Sequence, residues 1–222
     1  MNLSTFPFLT ANEFSQSCQG FVDRVHAYEG QLGSPGWADV RFDNASEPVL
    51  VVRKFIYLHA TDSDTKSPAE EGDLETENEE DAEIDDPEAL VRQPASIQKY
   101  EVEYNITLSP TYQVPVLYFF LRDGPSCRPN ELDRVYDLLI PAQFRSELRE
   151  VGVMGGISIT NHPITGIPVY FVHPCATSEA LKSVAGSKEQ TIETYLLLWL
   201  GLVGNCVGLN VPSELVAHAG KS

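Results

Sequence analysis

From Lys99 to Leu108 the chain alternates without a break. Tyr100, Val102, Tyr104, Ile106 and Leu108 are apolar, and Lys99, Glu101, Glu103, Asn105 and Thr107 are polar. A period of two belongs to a β-strand, whose successive side chains point to opposite faces. This stretch therefore demands a half-buried strand, in a sheet with one face on a core and the other in water. The rest of the chain must supply strands to pair with it and helices to cover its apolar side.

Those elements can be read from the sequence. Trp37 to Phe42 and Val49 to Leu58 read as strands. Ser109-Pro110-Thr111 turns the chain into another, Gln113 to Leu121. Four strands joined in order suggest an antiparallel meander. Ahead of them, Thr10-Ala11-Asn12-Glu13 has capping-box spacing, and Leu9 is placed to staple onto Phe14. Phe14, Cys18, Phe21, Val25 and Tyr28 then recur at helical steps. A helix capped by Asn130 shows Leu132, Val135, Tyr136 and Leu139 on one side, and Pro141 permits a new helical start, Ala142 to Arg149. Gly155-Gly156 and Asn161-His162-Pro163 read as loops. A last helix, roughly Glu189 to Gly204, offers Ile192, Tyr195, Leu196, Trp199, Leu200 and Val203 for packing. The fold class is α+β: a four-stranded antiparallel meander packed by helices, with an extra strand before Cys175.

At 222 residues the chain suits a single domain, 1–222, carrying one insert. Between Asp62 and Pro94 fourteen Asp and Glu residues face only Lys66 and Arg92, so −12 of the net −17 lies in this segment. With almost no aromatic or β-branched residues it cannot bury enough surface to offset the entropy of ordering, and it reads as a disordered acidic insert, 62–94. It serves as a solvated spacer or as a docking site for a basic partner. So acidic a chain is no partner for nucleic acid or an anionic membrane surface. Met1 to Phe6 lacks the basic start and long apolar stretch of a signal peptide. The longest apolar run, Tyr195 to Val203, is far short of the ~20 residues of a membrane span. No stable membrane insertion is expected. Four scattered cysteines without a CxxC pair suggest a cytoplasmic protein with reduced thiols. Cys18 and Cys206 read as buried small hydrophobes.

The chemistry concentrates at Pro168-Val169-Tyr170-Phe171-Val172-His173-Pro174-Cys175. A strand running into His-Pro-Cys gives the cysteine a fixed position. A short helix beginning near Thr177 or Ser178 would aim its backbone N–H groups towards Cys175. Zinc wants close-spaced ligand pairs, which His162, His173 and Cys175 do not form. A thioredoxin-like site lacks its second cysteine. A cysteine hydrolase needs a base, for which His162 and His59 are partners through space, but no protease signature or oxyanion loop is visible. A thioester carrier needs less: an exposed thiol, a donor for the oxyanion, and groups that position an amine. On an extended strand His173 shares a face with Cys175 and can be that donor. There is no GxxxxGK[ST] for nucleotide, and no cofactor or metal is expected.

Four blocks in order carry a resemblance: Tyr112-Gln113-Val114-Pro115-Val116-Leu117-Tyr118-Phe119; His162-Pro163-Ile164-Thr165-Gly166-Ile167-Pro168; Phe171-Val172-His173-Pro174-Cys175; and Trp199-Leu200 with Val203-Gly204 and Val207-Gly208-Leu209-Asn210-Val211-Pro212. Across about residues 97 to 212 the chain resembles the autophagy-related protein 10 family, conjugating enzymes distantly similar to those of the ubiquitin pathway. The resemblance implies a ubiquitin-conjugating-enzyme-like core. It implies that Cys175 takes the modifier autophagy-related protein 12, as a thioester, from the activating enzyme autophagy-related protein 7. The modifier then passes to a lysine of autophagy-related protein 5, which supports autophagosome formation. His173 stands where some relatives carry asparagine, the residue expected to steady the oxyanion. A strand tyrosine near the cysteine is also implied, Tyr112 first and Tyr104 second. The long strand Ile97 to Leu108 is expected to help recognise the acceptor, with an exposed sheet edge as the docking place. A cytoplasmic location with recruitment to autophagosome assembly sites goes with this role. Two rivals stand beside it: the lipid-conjugating family of autophagy-related protein 3, and a non-catalytic interaction module of the same fold.

Overall fold

The computed structural model describes residues 2–28, 37–59, 97–122, 132–143, 145–146, 156–186 and 189–217. The acidic insert 62–94, Cys127, Asn130 and most of the expected helix from Ala142 to Arg149 lie outside the described residues. The chain divides into two compact units, one formed by Met1–Ile56 with Tyr100–Ser222 and the other by Tyr57–Lys99. In the second unit the described residues are strand ends.

Helix α1 runs Ala11–Ala27. Thr10 caps it through a complete capping box: its hydroxyl accepts the Glu13 N–H at 3.2 Å, and the Glu13 carboxylate accepts the Thr10 N–H at 2.8 Å. Phe14, Cys18, Phe21 and Val25 are buried as the periodicity requires, and Val22 joins them. Strands β1 (Trp37–Asp43), β2 (Val49–His59), β3 (Ile97–Leu108) and β4 (Pro115–Leu121) form the expected meander. Helix α2 (Leu132–Leu139) follows, with Val135, Tyr136 and Leu139 buried.

Two more strands complete the sheet. β5 (Ile157–Asn161) and β6 (Pro168–Val172) form an antiparallel hairpin, and β6 pairs antiparallel with β4 through Tyr118 opposite Phe171 and Phe119 opposite Tyr170. The order is β1-β2-β3-β4-β6-β5. Strand β3 is therefore interior, flanked by β2 and β4, and offers no free backbone edge. The edges are β1 and β5. This corrects the expectation that Ile97 to Leu108 lies where a partner strand adds. β4 also starts later than the apolar pattern suggests, because Gln113 takes a positive φ of 54° that interrupts extended backbone.

Helices α3 (Thr177–Ala185), α4 (Ile192–Trp199) and α5 (Ser213–Ala217) close the chain. α1 packs on α4, and Ser17 Oγ donates to the Ile192 carbonyl at 2.6 Å. All six residues expected to pack from the last helix are buried, Tyr195, Trp199 and Leu200 completely. Burying each such side chain stabilises the fold by about 1.5–3 kcal/mol. The helix does not run on evenly to Gly204. It widens into a π turn, Leu200–Gly204, then tightens into a 3₁₀ turn, Asn205–Val207. The glycines permit this: a Cβ on Gly204 would stand 2.7 Å from the Leu209 carbonyl oxygen, so only glycine lets the chain fold back so closely.

The sheet's two faces carry separate ring rows. On the core side Tyr104, Phe119 and Tyr170 stack in succession across β3, β4 and β6. The other face starts polar and ends apolar. Arg53 bridges Asp39 and Glu101, and Arg122 bridges Glu101 and Glu103. Such partly exposed pairs are worth about 0–1 kcal/mol each. Farther along, Asn105 and Thr107 are buried, so β3 is half-buried only over its first part.

Candidate active site

β6 ends at Val172, and the next residues build the site. His173 stays extended (φ −68°, ψ 129°) and caps the 3₁₀ turn Pro174–Ala176. Proline suits the first position of that turn, since its φ is already set and it has no N–H to satisfy. Cys175 occupies the middle of the turn and is exposed. Its N–H donates to Nδ1 of His173 at 3.1 Å. An accepting nitrogen carries no proton, so the neutral ring holds its proton on Nε2. The Thr177 N–H returns to the Pro174 carbonyl, and the turn runs directly into α3. The thiol thus rides on a short, doubly pinned turn between strand and helix.

Of the two tyrosines, Tyr112 is at the site. Its ring meets that of His173 edge-on, centroids 5.7 Å apart. It is about two-fifths exposed and sits in the turn before β4, where its N–H donates to Ser109 Oγ. Tyr104 is not at the site. It is wholly buried, its hydroxyl donates to the Val207 carbonyl at 2.8 Å, and burial pushes its pKa up. The core-facing register of β3 placed it there.

His162, considered as a base through space, is not brought to Cys175. It lies in the β5–β6 turn, and the whole of β6, roughly 16 Å of strand, separates it from the His-Pro-Cys end. It is buried, its Nδ1 accepts the N–H groups of Ile164 and Thr165 at 3.3 Å, and burial lowers its pKa, although Glu103 and Glu47 pull it upward. His59 closes β2 in the other unit, and its side chain lies outside the described residues.

Beside Cys175 opens an apolar cleft of about 80 Å³, lined by Val172, His173, Ala176, Thr177, Ala180, Leu202, Val203 and Cys206. The π turn brings Leu202 and Val203 here. Cys206 is a correction: it is half-buried on the cleft wall, its thiol donating to the Leu202 carbonyl at 3.4 Å. Cys18 is the buried filler expected. Lys182, close behind the site, is exposed with Nζ 5.5 Å from the ring centre of Phe8.

The chain is 36% identical to a Gibberella zeae protein named ubiquitin-like-conjugating enzyme ATG10, over 97% of this chain and 99% of that one. A human protein of the same name is 36% identical over 58% of each chain. A solved structure described as the autophagic E2, Atg10 covers 91% of this chain and 99% of its own at 15% identity, with a TM-score of 0.49. The class is that of the ubiquitin-like conjugating enzymes, transferases that belong to autophagy. The family model described as autophagocytosis associated protein, active-site domain matches residues 13–214. The chain belongs to that family.

Proposed function

We propose that Cys175 is the thioester cysteine, and that the enzyme accepts autophagy-related protein 12 from autophagy-related protein 7 and transfers it to a lysine of autophagy-related protein 5. The observation that carries this is the exposed thiol on a turn pinned by His173. In the loading step the Cys175 sulfur attacks the activating enzyme's thioester carbonyl. A new C–S bond forms, the old one breaks, and the departing thiolate keeps the proton that Cys175 gives up. In the transfer step the lysine amine attacks the same carbonyl carbon. The amide forms, the C–S bond breaks, and the amine's surplus proton returns to the Cys175 sulfur by way of solvent. His173 Nε2–H is the donor offered to the oxyanion of both tetrahedral states, and Tyr112 flanks it.

The acceptor meets the side chains of β3 across the sheet's outer face, where Glu101 and Glu103 are partly accessible beside Arg53 and Arg122. Unchanged conjugation after Glu101→Lys would remove that docking reading. The cytoplasm is the fitting compartment, because the thiol must stay reduced to work.

A non-reducing gel tests the main reading. The protein is mixed with activating enzyme, modifier and ATP. A thiol-sensitive adduct forms, disappears in Cys175→Ala, and becomes thiol-resistant in Cys175→Ser, whose ester is stable. An adduct that survives in Cys175→Ala assigns the chemistry elsewhere, and no adduct in the unaltered protein removes the reading.

A further inference from the structure

The outer face of β4 and β6 carries rings where a solvated face would carry polar side chains. Tyr118 and Phe171 are directly opposite one another and stack, centroids 6.1 Å apart and planes 21° apart. Below them His162 meets Tyr118 edge-on at 5.3 Å. Above them Phe171 meets His173 at 5.9 Å with planes 55° apart, and Tyr112 meets His173 at 5.7 Å. Five rings thus run in unbroken contact from the buried end of the β5–β6 turn to the histidine that pins Cys175. The lower end is firmly held, because His162 is buried and both its neighbours' N–H groups bind its Nδ1. The upper end is not held by strand pairing, since His173 lies beyond β6.

We propose that Phe171 is a positioning residue that acts through His173. An imidazole held by one hydrogen bond can turn over about its Cβ–Cγ bond, exchanging Nδ1 for a carbon. Turned over, it leaves the Cys175 N–H without its acceptor and carries the Nε2 proton elsewhere. Phe171, braced by Tyr118, confines the ring to the orientation that caps the turn. Transfer depends on that orientation because the sulfur and the oxyanion donor must be in place before the amine attacks. This inference rests on the conjugating role assigned to Cys175, but one arm of its test does not.

That arm is long-range ¹H–¹⁵N NMR of the imidazoles in the protein alone. The unaltered protein shows His173 as a single Nε2–H tautomer. Phe171→Leu and the volume-keeping Phe171→Met both show averaging between tautomers, and Phe171→Tyr restores the single form. In the second arm the thioester is loaded first, and its discharge to the acceptor is followed in a single turnover, normalised to the loaded fraction. Phe171→Leu and Phe171→Met discharge about tenfold more slowly at saturating acceptor. Adding either change to His173→Ala slows discharge no further. An unaltered tautomer signal in both variants overturns the proposal, as does an unaltered discharge rate or a slowing that multiplies with His173→Ala. Should the unaltered protein fail to load, the conjugating role falls, and the NMR arm alone decides whether Phe171 orients His173.

Discussion

Nδ1 of His173 and the backbone N–H of Cys175 are joined at 3.1 Å, so the ring two residues before the sulfur also shapes the turn that presents it. A side chain that only donated to the reacting carbonyl could be removed without disturbing the thiol. This one cannot.

Asparagine can replace the histidine as an acceptor, through its side-chain carbonyl, and still offer N–H donors. His173→Asn is expected to load and transfer within a few-fold of the unaltered enzyme. His173→Ala is expected to transfer roughly 10²-fold more slowly, in the range of lost oxyanion donors, and to lose about 1 kcal/mol of stability with the cap. Single-turnover transfer and urea unfolding on the same preparations check both parts.

Glu13 stabilises the start of α1. Burial alone would raise its pKa, but the Ser4 N–H and the Thr10 hydroxyl and N–H outweigh that and bring it to about 2. A carboxylate whose pKa is lowered by folding contributes stability above its unfolded value, about 4.5, and that contribution fades as pH falls towards 2. Glu13→Gln is expected to cost about 1–3 kcal/mol at neutral pH. The gap between variant and unaltered protein, followed by denaturant unfolding from pH 7 to pH 2, should narrow only below pH 4.5. A gap independent of pH would show that the carboxylate's charge plays no part.

His162 works in the opposite pH region. Burial lowers its pKa below the ordinary 6.5, so the folded protein keeps the ring neutral while the unfolded chain protonates it. Stability linked to this group is full above pH 6.5 and is lost as pH falls below it. His162→Asn keeps an acceptor for the Ile164 and Thr165 N–H groups but does not titrate. Its melting temperature relative to the unaltered protein is expected to rise between pH 7.5 and pH 5.5. A constant difference over that range would remove the linkage.

Gly208 takes a φ of +73°, and a Cβ there would stand 2.9 Å from the Leu139 carbonyl oxygen. Its own carbonyl accepts from Lys54 Nζ at 2.6 Å, a lysine whose pKa burial lowers. Gly208→Ala is therefore opposed by both conformation and contact, at a cost of about 1–3 kcal/mol. Thermal unfolding should show it, and loading of Cys175 should fall only at temperatures where the variant begins to melt.

Period-two and helical patterns were enough to place α1, the meander and the last helix, because apolar residues in those elements repeat over several turns. They failed for β5. Ile157-Ser158-Ile159-Thr160 does alternate, but it is short and hemmed by Gly155-Gly156 and Asn161-His162-Pro163, whose turn signals outweighed it. That strand makes β6 part of a hairpin rather than a lone addition. His-Pro-Cys was legible because its residues are adjacent. Tyr112 could be brought to it only through the resemblance, since sixty residues of chain separate them and strand register is invisible locally. Cys206 was misread for the same reason: its exposure depends on how the helix before it ends. Phe171 looked like one more apolar strand residue, and only its pairing opposite Tyr118 distinguishes it.

The widened turn at Leu200–Gly204 holds one residue beyond what a regular helix would need. Deleting a single position there would restore an even spiral and swing everything after it by about 100°. Cys206 would leave the cleft, and Val207 would lose its bond to Tyr104. A frame-preserving loss of one codon, far along the chain from His-Pro-Cys and on a helix that touches no substrate, would thus reshape the wall beside the thiol.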